Sequence, residues 1–216
     1  MLTREQFLPH EMCIVAALRM QGASDEQVIV RVKSENLFQY PTERMVANRA
    51  TVCLRRLDAM VPTDAACAAR GIDPATAAQA ATILTNLIAT GTPTQADQAI
   101  FYSMICRYDI VRELVLVEVG ERLQNFDYAF TAVDLNAFMT RFTTEYPDAA
   151  RWTEATVKRI KGSLRQTLRH AGLIGEGMGP ESERLSALFL DPDIERALLQ
   201  LGEQPLVAAL TGRAVI

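Results

Sequence analysis

Apolar residues recur at three- and four-residue intervals through most of this chain, with Ser, Thr, Asp or Pro ahead of many runs and Gly behind several. That pattern predicts helices. A Ser, Thr or Asp oxygen accepts from the unpaired N–H groups of a first turn, Pro lacks an N–H where none is needed, and Gly reaches the left-handed conformation past the last turn. Pro9 thus opens a first helix that runs to Gly22, and Ser24 with Gln27 forms a capping-box pattern for a second that continues toward Asn36. Pro41 opens a third, in which Met45, Val46, Cys53, Leu57 and Met60 share a face. A short helix is expected from Thr63 to Gly71, a longer one from the Asp73-Pro74 pair to near Gly91, and another from Thr94 through Arg107. Asp109 caps IVRELVLVEVGERL, whose apolar residues go almost all round, as a central buried helix requires.

After Asn125 the pattern changes. Thr131 is an N-cap with Asp134 three residues on, and Phe130 can meet Leu135 as a hydrophobic staple. Thr153 repeats this grammar, with Trp152 and Val157 as the staple, and Pro147 stops the helix between them. Two helices joined by a short turn, followed by LIGEGMGPESERLSALFL with Gly and Pro between two apolar runs, resemble a winged helix-turn-helix. ERLSALFL fits a helix equally well. Asp191-Pro192 starts a further helix, and a short one follows Pro205. The expected fold is all-α with at most one small hairpin: a helical domain over residues 1–128 and a helix-turn-helix-like domain with a helical tail over residues 129–216.

Composition restricts the class. With 216 residues, 49% of them hydrophobic, the chain can bury a sizeable core as one large or two small domains. No cationic segment with an apolar core and a cleavage site opens it, and the charge-free run from Pro74 to Ala96 is broken by Thr, Gln, Asn, Gly and Pro. A soluble protein is expected, with no membrane partner. Cys13, Cys53, Cys67 and Cys106 form no C-x-x-C pair, which fits reduced thiols in the cytoplasm and argues against a zinc site or a disulfide framework.

Charge sharpens the picture at one place. Residues 151–170 carry six Lys or Arg against one Glu, in a chain whose net charge is -4. At about 100° per residue, Lys158, Lys161, Arg165 and Arg169 span an arc of roughly 80°, beside an apolar stripe of Val157, Ile160, Leu164, Leu168 and Ala171. Arg159 adds a further cation. Such a helix docks by one face and offers the next to a polyanion backbone, unless nearby acids neutralise it. A second basic cluster lies on the predicted third helix, where Arg44, Asn48 and Arg55, with Thr51, stand opposite the apolar face and can meet phosphates or base edges. Arg49 and Arg56 flank the stripe and are expected to pair with acids of neighbouring helices. Tyr40 either stacks on a base or covers a helix entry.

Catalysis has little to stand on. The only histidines are His10 and His170, and neither a G-x-S-x-G nucleophile elbow nor a phosphate-binding G-x-x-x-x-G-K-[ST] loop occurs. Glu113, Glu118 and Glu121 lie on one predicted helix, where Glu113 and Glu121 can share a face, but no converging acids of a nuclease are visible. No enzyme activity, cofactor or metal is expected.

SENLFQYPTERMVANRATVCLRRL, FYSMICRYDIVRELVLVE and DLNAFMTRFTTEYPDAARWTEATVKRIKGSLRQTLRHAGLI, between residues 34 and 174, resemble three blocks of the BrxA family, components of BREX bacteriophage-defence systems. The resemblance implies a NusB-like helical part, a non-enzymatic role in phage exclusion, association with DNA, and other BREX components as partners. Duplex DNA is the expected ligand, although single strands and RNA display the same phosphates. The competing expectation is a protein-interaction scaffold: residues 172–216 hold seven acids and three bases and can cover the basic helix or meet a partner.

Overall fold

A computed structural model describes residues 6–175 and 183–213. Its regular structure is helical: α1 (Pro9–Met20), α2 (Asp25–Ser34), α3 (Glu43–Ala59), α4 (Asp64–Arg70), α5 (Pro74–Thr90), α6 (Pro93–Arg107), α7 (Asp109–Glu113), a π-helical turn (Leu114–Val119), α8 (Gly120–Gln124), α9 (Ala132–Glu145), a 3-10 turn (Ala149–Arg151), α10 (Glu154–His170), α11 (Pro192–Gln200) and α12 (Gln204–Thr211).

The caps follow the sequence closely. Ser24 Oγ accepts from Gln27 N while Gln27 Oε1 accepts from Ser24 N, and Thr131 and Asp134 make the same reciprocal pair ahead of α9. Asp73 caps α5 with Pro74 at its first position. Three starts differ from expectation. Thr42, one residue past Pro41, caps α3. Thr92 and Gln95 form a capping box that starts α6 at Pro93 instead of Thr94. Asp109 is the first helical residue of α7, and the N-cap position falls to Tyr108, which makes no side-chain cap.

The chain divides into two compact units, one of residues 8–107 with 191–203, the other of residues 1–7, 108–190 and 204–216. The boundary expected after residue 128 falls inside the second of these. In the first unit, α1 packs on α5, α5 on α6 and α2 on α3. Ala77, Ala80, Ala81 and Leu84 form the buried stripe of α5, small enough to let α1 approach with Met12, Val15 and Ala16. Phe101, Met104 and Ile105 of α6 complete the core. α11 belongs to the same unit and is tied down at both ends. Asp191 N donates to Gln98 Oε1 at 2.9 Å, while Arg70 Nη1 donates to Leu201 O at 3.0 Å and pairs with the buried Glu203 at 2.9 Å.

In the second unit the expected continuous helix after Tyr108 contains the π turn, and this changes which acids face α9. Five residues along an α-helix rotate by about 140° net, but the wider π turn brings Glu113 and Glu118 to the same side. Glu113 accepts from Tyr146 Oη at 3.2 Å and Glu118 from Arg141 Nη1 at 2.7 Å. Glu121, the residue expected to share a face with Glu113, is exposed. Directly after the turn, a Cβ on Gly120 would lie 2.8 Å from Ala209 Cβ, so this glycine permits the close packing of α12. Arg122 then gathers Asp127 at 2.6 Å, Asp134 at 2.7 Å and the Ala129 carbonyl at 2.8 Å.

ERLSALFL is not helical. Arg184 makes an isolated antiparallel bridge with Ala129, and Leu185 makes one with Ile174. Leu185 N donates to Tyr128 O at 2.8 Å, Ser186 N to Leu173 O at 2.9 Å and Leu188 N to Leu210 O at 2.8 Å. Residues 176–182, where the expected hairpin would turn, lie outside the described residues.

Candidate nucleic-acid interface

α10 is held as its sequence pattern demands. Thr153 Oγ1 accepts from Thr156 N at the start, and Trp152, just before it, stacks on Phe142 of α9 with ring centroids 6.0 Å apart. Ile160, Leu164 and Leu168 are at most 1% exposed, with Thr167 buried beside them. At the other end His170 stacks on Phe7, centroid to centroid 5.0 Å.

The cations of this helix fall into two sets. Lys158 and Arg159 are exposed and pair with no described residue. Lys161 Nζ donates to Asn136 Oδ1 of α9 at 2.6 Å, a neutral partner that leaves its charge uncompensated. Arg165 and Arg169, one turn further on, both pair with Glu183. Arg165 Nε lies 2.7 Å from a Glu183 oxygen without hydrogen-bond alignment, so the attraction there is that of two charges. The Glu183 side chain has 0% exposure. A carboxylate so placed is tolerable only because two guanidinium groups offset its desolvation, and stripping away its partners costs about 3–5 kcal/mol. The arc of four solvent-facing cations read from the sequence is thereby divided: Arg165 and Arg169 are engaged internally. Nothing in a helical periodicity identifies a partner 14 residues further along the chain.

Gly162 lies among these cations, exposed, and a Cβ added there would meet no atom within 4 Å. Arg44, Asn48 and Arg55, on α3 in the other unit, are exposed and pair with no described residue. Thr51 spends its hydroxyl on the Ala47 carbonyl at 2.9 Å. Arg56 is fully buried and, with Arg49 and Glu11, surrounds Cys53, whose thiol is pushed up to about 12 by burial against the pull of the two arginines. Tyr40 donates to Glu11 and meets Phe38 edge to face, and burial with that hydrogen bond raises its hydroxyl to about 12. Its hydroxyl therefore serves the interior of the unit.

No group of three or more His, Cys, Asp or Glu among the described residues is placed to hold a metal ion. No described helix is long and apolar enough to cross a membrane.

The BrxA family model matches residues 1–202. The chain belongs to the BrxA family. One curated relative, the BREX protein BrxA of Escherichia coli O9:H4 (strain HS), is 23% identical over 128 residues, which make up 59% of this chain and 59% of that protein. The chain thus aligns with less than two thirds of that BrxA's length. The crystal structure of an uncharacterized protein from Magnetospirillum magneticum shares the fold, with a TM-score of 0.74 and 15% identity over 98% of this chain and 96% of that one.

Proposed function

We propose that this BrxA-family chain is a non-enzymatic, cytoplasmic DNA-binding component of a BREX phage-defence system, contacting the duplex backbone through the exposed cations of α10. The observation that carries the reading is the division of one helix into a buried apolar face at Ile160, Leu164 and Leu168 and an exposed one bearing Lys158 and Arg159 without described partners. Affinity for phosphates needs such uncompensated charge. The order of elements supports it further. A helical segment, the bridge residue Ala129, α9, α10, then Ile174 and the bridged pair Arg184 and Leu185 follow one another as do the parts of a winged helix, in which α10 takes the place of the recognition helix. The unit carrying α1 to α6 is then the counterpart of the NusB-like part, with Arg44, Asn48 and Arg55 as a second contact. Other BREX components are the expected protein partners, in keeping with the name of the Escherichia coli relative.

A polarisation titration against duplex DNA at two salt concentrations tests this reading. Binding in the range of about 10⁻⁴ to 10⁻⁶ M at physiological salt, falling steeply as salt rises, is expected for backbone contact. A flat salt response removes the cations from the contact. A protein scaffold is the second reading, favoured by Phe126 at 77% and Phe189 at 95% exposure, large apolar groups of the kind that protein interfaces cover. Retained affinity for a BREX component by a variant that has lost DNA would support it.

A further inference from the structure

We propose that Glu183 withholds Arg165 and Arg169 from nucleic acid, confining the phosphate contact of α10 to its N-terminal half at Lys158, Arg159 and Lys161; this rests on the DNA-binding reading above. A carboxylate presents to a guanidinium the same anionic oxygens that a phosphate does. Glu183 holds that position before any ligand arrives, since its oxygens reach both Arg165 and Arg169. Its placement does not depend on charge alone. The two residues that follow it are fixed by backbone bridges, Arg184 to Ala129 and Leu185 to Ile174, which hold the chain against this unit. A phosphate that drew either arginine away would leave a carboxylate whose side chain has no exposure to water with a single guanidinium to offset its desolvation. Lys158 and Arg159 face no such competitor among the described residues, and Lys161 has only the neutral Asn136 oxygen.

Counting phosphates separates this from a contact along the whole helix, because each one neutralised on duplex DNA adds about 0.9 to the log–log salt slope. The test compares salt slopes for a short duplex between about 50 and 200 mM salt, with melting curves confirming that each variant is folded. The triple variant Arg165→Gln, Arg169→Gln, Glu183→Gln removes both arginines without leaving a buried charge. It should keep the wild-type slope. Lys158→Gln with Arg159→Gln should lower the slope by about 1.8 at unchanged melting temperature. Glu183→Gln alone releases two guanidinium groups and should steepen the slope by about 0.9 to 1.8, a gain that a purely structural residue would not produce. If Glu183→Gln unfolds, the triple variant decides alone. A triple variant whose slope falls by about 1.8 overturns the inference and leaves the DNA reading standing. Absence of duplex binding by the wild-type chain brings down that reading, and the inference with it.

Discussion

Leu164 has no exposure and sits at the centre of the apolar face of α10. Truncating it to Ala empties packed space that the flanking Ile160 and Leu168 cannot refill, so a loss of about 2–5 kcal/mol in thermal or denaturant unfolding is expected. Asp134 makes a different residue-scale contribution. Partial burial works to raise its carboxyl, but hydrogen bonds from the Thr131 N–H and hydroxyl and the charge of Arg122 outweigh it and hold the group below its usual 3.8. A depressed folded value means that the stabilisation is fully present above the unfolded value and is lost as pH falls through the folded one. Relative to Asp134→Asn, the wild-type chain should therefore be more stable at neutral pH, and the gap should shrink in acid below the ordinary carboxyl value. A gap that stays constant from neutral pH into strong acid would show that charge is not what Asp134 supplies. Residue identities of this kind were readable in part: the Thr131 and Asp134 pattern announces the cap, whereas Arg122, the cation that pairs with Asp134, comes from another helix and has no local signal.

At the scale of elements, the helix starts at Ser24 with Gln27 and at Thr131 with Asp134 were legible because cap and partner lie three residues apart, whereas the same spacing at Thr92 and Gln95 was passed over for Thr94. The π turn was not. Its sequence, Leu114 to Val119, reads as ordinary buried helix, and the insertion shows only in the packing that aligns Glu113 with Tyr146 and Glu118 with Arg141. The apolar stripe of α10 was readable from its period, but the division of its cations was not, since Glu183 reaches them from beyond the end of the helix. Gly162 offers a test of the element itself. A glycine inside a helix costs roughly 0.5–1 kcal/mol relative to Ala, and here nothing crowds the added methyl. Gly162→Ala should raise stability by about that amount. If the duplex backbone approaches α10 closely between Lys158 and Arg165, the same substitution should weaken binding without changing the salt slope; unchanged affinity would place the backbone farther from the helix.

For the whole molecule, the order of the chain and the order of its packing differ. A boundary read along the sequence is contiguous by construction, but α11 belongs with α1 to α6 although 83 residues, 108–190, intervene in the other unit. The contacts responsible, Gln98 with Asp191 and Arg70 with Glu203, join positions 93 and 133 residues apart. Periodicity shows that Ile194, Ala197 and Leu198 form a face of α11, and only the structure shows that α5 and α6 receive it. This has a direct consequence for the unit of α1 to α6. A chain ended after residue 190 lacks α11 and bares the surfaces of α5 and α6 that it covers, so amide exchange in α5 and α6 should accelerate together with a lowered melting temperature. Arg70→Ala probes the same dependence without truncation. It takes the Arg70 guanidinium away from Glu203, which is 1% exposed, a change that costs about 3–5 kcal/mol for a buried pair and less in proportion as water reaches the site. If the unit instead folds independently of α11, exchange in α5 and α6 will match the full chain in the truncated protein, and Arg70→Ala will alter only the protection of residues 192–203.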